Sequence, residues 1–206
     1  MSAQMKNLYK LQKKDFSKAG AVLADAFQND PFWRALLEDI NIDQKRSFYE
    51  GSVRYGYRYG EAYATSDHLE GITVWVPSDH ADMTFWRAIR SGSFNTAMKI
   101  GIKMSLKMKP IFEPLEEARR ANMNGQEYIY VIIVGIAQEY QGQGFGRKLL
   151  SAMIEESEQI QKSLYLETTT PKNVKMYERQ GFRVLNQITL PIIDLPQWGM
   201  VREATV

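Results

Sequence analysis

The sequence contains no cysteine and only two histidines, His68 and His80, among its 206 residues. Without cysteine the chain has no disulfide, no thiolate metal ligand and no cysteine nucleophile. Two histidines provide too few ligands for most zinc sites. We therefore expect a protein without a metal that works in a reducing compartment such as the cytoplasm.

Long apolar runs and a strong net charge are also missing. The longest apolar run, residues 128–137, is too short to cross a bilayer, and residues 1–14 lack the apolar segment of a signal peptide. The formal net charge of +2 is too small to indicate nucleic-acid binding. We expect a single globular domain, residues 1–206, that binds neither nucleic acid nor membranes.

A glycine-rich turn follows the apolar run. Gly142, Gly144 and Gly146 occupy alternate positions, and an amphipathic segment begins at the last two. Glycine lets an anion approach the backbone, and the first N–H groups of a helix are unpaired, so this pattern predicts a pyrophosphate cradle. It is not a P-loop or a dinucleotide fingerprint, because Arg147 and Lys148 follow instead of Lys-Ser/Thr or a further glycine.

Hydrophobic periodicity predicts alternating helices and strands along the chain. Helices are expected at about 15–27, 43–58, 144–160 and 171–180, and strands at 61–66, 69–76, 127–137, 164–169, 182–190 and 198–202. Residues 98–109 alternate methionine or other apolar residues with lysine, which is typical of a strand. Because Lys99, Lys103 and Lys107 also stack at i,i+4, we predict a mainly helical insert over about 79–125. The lysines form either a solvated face, which we favour, or a site for phosphates or an acidic acceptor.

Three further features occur in a fixed order after the glycine-rich turn. The strand Leu164-Tyr165-Leu166-Glu167-Thr168 ends close to an acid, Asn173 and Tyr177 follow on a short helix, and Gly181-Phe182 closes it. Together with the Gln-x-x-Gly-x-Gly loop, this order resembles the GCN5-related N-acetyltransferase (GNAT) superfamily. Within it the chain looks most similar to the puromycin N-acetyltransferase-like branch. The specific resemblance covers about residues 125–203.

The resemblance implies an α/β (α+β) fold with a mixed, strongly twisted β-sheet flanked by helices. Two central parallel strands, 128–136 and 164–168, would splay apart and admit the pantetheine arm of acetyl-CoA, the implied cosubstrate. Gly135 is expected to mark either a β-bulge or a simple bend. The implied acetyl-CoA-binding residues are Val134, Gly135, Ile136, Gln141, Gly142, Gln143, Gly144, Phe145, Gly146, Arg147 and Asn173.

The resemblance also implies the reaction, the transfer of an acetyl group to a primary amine of a small molecule in a ternary complex. Tyr177 matches the general acid that protonates the leaving thiolate, and a backbone N–H near Ile136 would stabilise the oxyanion. Glu167 matches the base that takes the amine proton, directly or through water. Glu127 is an alternative base, and a third alternative is that no residue is dedicated to this role.

The acceptor is the least constrained part of the prediction. By family resemblance the first helices and the insert would supply the acceptor wall, the set of residues that line the site of the acceptor amine. Asp30 would be available to bind an ammonium group. The expected wall residues are Phe27, Asp30, Phe32, Trp33, Trp75, Trp86 and the methionines near residue 100. Two other functions stay open, an acyl-CoA-binding sensor without turnover and a peptide or protein N-acetyltransferase, and a homodimer is expected only because many relatives dimerise.

Overall fold

The computed structural model describes residues 1–205, and its described side chains exclude those of Ile102, Lys103 and Ser105. Within these residues the chain forms one seven-stranded sheet and nine α-helices. The strands are β1 (Tyr9–Lys10), β2 (Glu61–Ala64), β3 (Gly71–Pro77), β4 (Tyr128–Ile136), β5 (Ser163–Thr168), β6 (Arg183–Leu190) and β7 (Leu195–Arg202). The helices are α1 (Ala3–Lys6), α2 (Phe16–Ala26), α3 (Pro31–Leu36), α4 (Ile42–Tyr59), α5 (Phe85–Ser91), α6 (Ser93–Ile100), α7 (Ile102–Asn122), α8 (Phe145–Gln159) and α9 (Pro171–Glu178).

The sheet has one parallel pair at its centre, in the strand order β1-β2-β3-β4-β5-β7-β6. Strands β4 and β5 pair only from Tyr128 opposite Ser163 to Tyr130 opposite Tyr165. Beyond that point β4 continues to Ile136 and β5 to Thr168, each still paired to its antiparallel neighbour on the other side. The two strands therefore separate after three residue pairs, and the splayed central pair predicted from the sequence is confirmed.

A β-bulge in β4 changes which face of the sheet each side chain meets. The register against β3 passes from Val74 opposite Ile133 to Trp75 opposite Val131, which leaves Ile132 as the extra residue. Before the bulge, Val131 packs with the apolar cluster beneath α8, whereas Ile133 packs with the cluster beneath α2 and α4. Side chains alternate between faces along a strand, so one inserted residue reverses the phase of those that follow.

Gly135 therefore has a different role from the predicted bulge, which lies at Ile132. Gly135 pairs in regular register with Ile72 and faces helix α2. A Cβ atom at this position would lie 2.7 Å from Cδ2 of Leu23 and 2.8 Å from Cε2 of Phe27. The glycine is needed because the helix packs directly on the strand backbone.

Gly135→Ala is expected to lower the free energy of unfolding by about 1–3 kcal/mol, because the added methyl group overpacks the contact between α2 and β4. Urea unfolding of the ligand-free protein measures this change. Gly146→Ala is the matched control: its Cβ would meet only Cγ1 of Ile136, at 3.7 Å, and alanine favours a helix. Equal stability of the Gly135 variant and the native protein would contradict this account.

Apolar residues cover both faces of the sheet. Helices α2, α4 and α7 cover one face with a cluster that includes Leu23, Val53 and Ile111. Helix α8 covers the opposite face with Leu149, Leu150 and Met153. None of the helices within residues 1–205 combines the length and the apolar composition needed to cross a membrane.

The region between β3 and β4 is helical. Helices α5, α6 and α7 occupy most of it, so the alternating apolar and lysine residues near position 100 lie on helices rather than on a strand. Lys107 is not a solvated lysine, because its Nζ lies 3.0 Å from carboxylate oxygens of both Glu38 and Asp39. The side chain of Lys103, which belongs to the same predicted stripe, lies outside the described residues.

Candidate active site

A cavity of about 390 Å³ lies where β4 and β5 separate. Residues 130–134 of β4 and 166–168 of β5 line it on the sheet side, immediately after the last paired residues of the two strands. The helical region closes the opposite side through residues that include Ile100, Met108 and Leu115. The cavity is therefore the opening created by the splayed strands, enclosed by the helices between β3 and β4.

Glu167 lies in the wall of this cavity, and its side chain is 12% exposed. The Tyr130 hydroxyl donates a hydrogen bond of 2.6 Å to Oε2 of Glu167. Oε1 has no hydrogen-bond partner within the described residues and lies 3.8 Å from Nη1 of Arg119. Burial raises the pKa of Glu167, while the Arg119 charge and the Tyr130 hydroxyl act in the opposite direction. A mostly buried carboxylate that lines a cavity and has a raised pKa has the properties of a base.

The alternative base, Glu127, lies elsewhere. It precedes β4 at the end opposite to the splay, its side chain is 77% exposed, and its Oε2 lies 2.9 Å from Nζ of Lys162. Glu127 does not line the cavity. Between the two carboxylates, the geometry favours Glu167.

Arg119, which the sequence analysis missed, also lines the cavity. It belongs to α7, and its side chain is 3% exposed. Its guanidinium carbon lies 4.4 Å from the centre of the Tyr130 ring, and its Nη2 lies 2.5 Å from Oδ1 of Asp82. One signal could have identified it: Arg119 continues the i,i+4 series of the buried residues Ile111 and Leu115. A charged residue in phase with an apolar stripe indicates a buried charge with a partner.

Asn173 and Tyr177, one turn apart on α9, line the same cavity as Glu167. The Tyr177 ring packs against Phe182, with 5.4 Å between ring centres. Burial raises the pKa of Tyr177 to about 12, so the phenol keeps its proton at neutral pH. The structure thus brings the two predicted catalytic residues into one cavity.

The glycine-rich turn lies just beyond the end of β4. Gly142 and Gly144 have φ values of +79° and +90°, and a Cβ at either position would meet no atom within 4 Å. Gly144 precedes the first residue of α8, and no side chain caps that helix. The amide groups of the two glutamines donate inward instead, from Gln141 to the Ile136 carbonyl and from Gln143 to the Glu139 carbonyl. The turn therefore presents open backbone rather than side chains at the start of α8.

The two basic residues after the turn differ in their surroundings. Lys148 donates through Nζ to the Thr65 carbonyl at 2.7 Å, which ties it to the end of β2. Arg147 is exposed at the start of α8. Lys148 is thus tied to a backbone carbonyl, and the role of Arg147 in binding a pyrophosphate stays a prediction.

The acceptor wall agrees with the prediction only in part. Phe27, Asp30, Phe32 and Trp33 line the cavity, as do Met83 and Met108. Trp75 does not, because it stacks on Tyr63 in the opposite core. Trp86 is also absent from the wall, and 67% of it is exposed. Both tryptophans therefore lie outside the cavity, since residue type alone does not show which face of a strand or helix a side chain occupies.

Asp30, which was predicted as part of the acceptor wall, also has a structural role. Its Oδ1 accepts hydrogen bonds from the backbone N–H groups of Phe32 and Trp33, so Asp30 caps α3, with Pro31 as the first helical residue. Burial raises its pKa despite these two hydrogen bonds.

Comparison with known proteins supports the same interpretation of this site. The sequence profile of the acetyltransferase (GNAT) domain matches residues 116–184, a span that contains the glycine-rich turn, Glu167, Asn173 and Tyr177. An uncharacterised N-acetyltransferase of Schizosaccharomyces pombe is 26% identical over 181 residues, covering 84% of this chain and 72% of that protein. These comparisons support an N-acetyltransferase of the GNAT superfamily.

Solved structures confirm the predicted fold class. A Corynebacterium glutamicum structure described as histone acetyltransferase HPA2 and related acetyltransferase has a TM-score of 0.64 and 20% identity, covering 97% of each chain. Arylalkylamine N-acetyltransferase 2 of Aedes aegypti has a TM-score of 0.68 and 12% identity, covering 96% of this chain and 98% of that one. At these identities the likeness concerns the fold alone. The puromycin N-acetyltransferase-like branch stays a prediction.

GNAT enzymes use acetyl-CoA, and the residues of this chain fit that cosubstrate. The edge of β4 after Tyr130 is not paired with β5, so its backbone polar groups are free to bond an amide-containing chain. The positive-φ glycines and the uncapped start of α8 leave room and N–H groups for a pyrophosphate. Within residues 1–205, no group of three or more histidine, aspartate or glutamate side chains is arranged to hold a metal ion.

Proposed function

We propose that this GNAT enzyme transfers the acetyl group of acetyl-CoA directly to the primary amine of a small, largely apolar molecule. Acetyl-CoA supplies the acetyl group as an activated thioester. The amine acceptor occupies the cavity between the splayed strands and the helical region, and both substrates are bound together. The observation that carries the proposal is the place of Glu167, a mostly buried carboxylate, in the lining of that cavity together with Tyr177.

The charges that line the cavity suit a cation. Asp30, Glu116 and Glu167 contribute three carboxyl groups, and among the lining residues that the structure describes Arg119 is the one arginine or lysine. Burial raises the pKa of all three acids, which is the expected response of carboxylates that lack sufficient positive charge nearby. An ammonium group would supply that charge, and the aromatic rings of Phe27, Phe32 and Trp33 would contact an apolar body.

Glu167 and Tyr177 have complementary protonation states. An amine attacks a thioester only after losing its proton, which Glu167 takes directly or through a water molecule. Tyr177 remains a neutral phenol, since its pKa of about 12 lies well above neutral pH, and it donates a hydrogen bond to the sulfur of the leaving group. The excess proton thus moves from the amine toward Glu167, while Tyr177 stabilises the opposite charge.

The test begins with thermal unfolding in acetyl-CoA, with ATP as the control. A ligand at 100 times its dissociation constant stabilises a protein by about 2.7 kcal/mol, which raises the midpoint by roughly 5–10 °C at this size. A screen of primary amines then follows the release of free CoA. Release with small apolar amines supports the proposal. If acetyl-CoA stabilises the protein but no amine causes release of CoA, the protein is an acyl-CoA-binding sensor. If only peptides cause release of CoA, it is a peptide or protein N-acetyltransferase.

Tyr177→Phe is expected to lower kcat by about 10²-fold and to leave the acetyl-CoA dissociation constant nearly unchanged. The ring still packs on Phe182, but the donor to the leaving sulfur is lost. Steady-state kinetics and calorimetric titration measure the two quantities separately. Because the pKa of Tyr177 is about 12, its ionisation should not limit the native enzyme below about pH 10. A native kcat retained by the variant would remove Tyr177 from this role.

A further inference from the structure

The insert between β3 and β4 does more than enclose the cavity, because it places a buried arginine beside the base. Helix α7 brings Arg119 over β4, where the guanidinium lies 4.4 Å from the centre of the Tyr130 ring. Its Nη1 lies 3.8 Å from Oε1 of Glu167, and its Nη2 lies 2.5 Å from Oδ1 of Asp82. One cation therefore joins the insert, the segment after β3 and the strand that carries Glu167.

The orientation of this arginine is fixed from several sides. Nη2 also donates to the Ala81 carbonyl at 3.4 Å, and the second oxygen of Asp82 accepts from Arg120. Burying a guanidinium is costly unless partners compensate its charge, so Asp82 and Glu167 are required together. The Nε of Arg119 has no hydrogen-bond partner within the described residues, so the recorded contacts of the guanidinium are made through its two terminal nitrogens.

The groups that face Glu167 are mostly neutral or acidic. Tyr128 and Tyr130 approach from β4, Tyr165 from β5 itself, and Glu116 from α7, while Asp82 lies behind Arg119. Of these groups around Glu167, Arg119 is the one that carries a positive charge. Burial opposes the ionised carboxylate, and the nearby cation favours it.

We propose that Arg119 is a positioning residue for the acetyl-transfer reaction, holding the Glu167 carboxylate in place and keeping it ionised, with Asp82 as its anchor. The proposal rests on the role of Glu167 in the proposed function. The helical insert then contributes to the reaction, because Arg119, which controls the ionisation of the base Glu167, lies on α7 and not in the sheet. Tyr130 fixes Oε2 and Arg119 faces Oε1, so the amine proton meets an oriented carboxylate.

The kinetic test compares Arg119→Met, Arg119→Lys and Arg120→Met across pH. Loss of the Arg119 charge raises the pKa of Glu167, so the acid limb of kcat/KM moves to higher pH. We expect roughly tenfold or greater loss in kcat/KM for Arg119→Met at pH 7, with recovery toward the native value as the pH increases. Arg119→Lys retains the positive charge, so its kcat/KM at pH 7 should lie close to the native value.

Arg120→Met is the matched control, because Arg120 is the next residue on α7 and also binds Asp82, but it is 57% exposed and lies outside the cavity wall. Its kcat/KM should stay within about twofold of the native value at every pH. An unshifted acid limb in Arg119→Met, or an equal shift in both variants, would overturn the proposal. Circular dichroism confirms that each variant is folded.

A second measurement needs no activity. Carbon-13 NMR of proteins labelled at the glutamate carboxyl carbon follows the titration of Glu167, whose signal is assigned by its absence from Glu167→Gln. The midpoint should lie at higher pH in Arg119→Met than in the native protein, and an identical midpoint overturns the proposal. If no amine is acetylated at all, the proposed function fails, yet this titration still decides the role of Arg119.

Discussion

Replacing Glu167 by glutamine is expected to lower kcat/KM by about 10²–10⁴-fold, the usual contribution of a positioned general base. Glutamine has nearly the same shape, and its amide oxygen can still accept the hydrogen bond from Tyr130. It cannot take a proton from the amine at neutral pH. The loss should therefore appear in the chemical step, while the acetyl-CoA dissociation constant stays close to the native value.

Glu127→Gln is the matched control, since it makes the same substitution at the alternative base. Glu127 is exposed and pairs with Lys162 outside the cavity, so its loss should change kcat/KM by less than about twofold. Steady-state kinetics with varied amine and saturating acetyl-CoA compare the two variants. A loss below about threefold in Glu167→Gln would support the alternative without a dedicated base, and a larger loss in Glu127→Gln would reverse the assignment.

The pH dependence gives an independent check on Glu167. Burial raises the pKa of its carboxyl group, so the protonated, inactive form persists to a higher pH than for an exposed glutamate. In the native enzyme kcat/KM should increase as Glu167 loses its proton and then level off. The Glu167→Gln profile should lack this increase, apart from the titration of the amine itself, which a model reaction without enzyme measures.

Local patterns predicted the C-terminal half of the fold well. The glycine-rich turn, the helix after it and the acid near the end of β5 depend on neighbouring residues, so their positions in sequence determine their geometry. The predicted helix over 144–160 corresponds to α8, and the predicted strand over 127–137 corresponds to β4. The splay between β4 and β5 came from the family resemblance, because no local pattern shows where two strands stop pairing.

Contacts between distant segments were not predictable in the same way. Arg119 meets Asp82 and Glu167, which lie 37 and 48 positions away along the chain (119 − 82 and 167 − 119). The bulge lies at Ile132 and not at Gly135, because its position depends on the register against β3, which the sequence does not show. Asp30 is different, because Asp-Pro before an apolar segment is a recognisable helix start, although no helix was predicted there.

Gly144→Val is expected to abolish acetyl-CoA binding. Gly144 has a φ of +90°, which valine avoids, and it stands directly before the uncapped start of α8. A branched side chain would occupy the open space beside the turn and rotate the N–H groups away from an anion. The rise in the thermal unfolding midpoint that acetyl-CoA produces should disappear, which corresponds to a loss in acetyl-CoA affinity of at least about 10²-fold.

Gly125→Val separates this effect from backbone strain. Gly125 has a φ of +70°, and its Cβ would likewise meet no atom within 4 Å. It lies before the opposite end of β4, and the nine residues of that strand span roughly 30 Å. Both variants should unfold more easily than the native protein by about 1–3 kcal/mol. Because the backbone strain is matched, only acetyl-CoA binding distinguishes the two variants. Gly125→Val should keep the rise in unfolding midpoint that acetyl-CoA produces. If both variants lose this rise, backbone strain rather than the glycine-rich turn determines the result. A native response in Gly144→Val would place the pyrophosphate elsewhere on the enzyme.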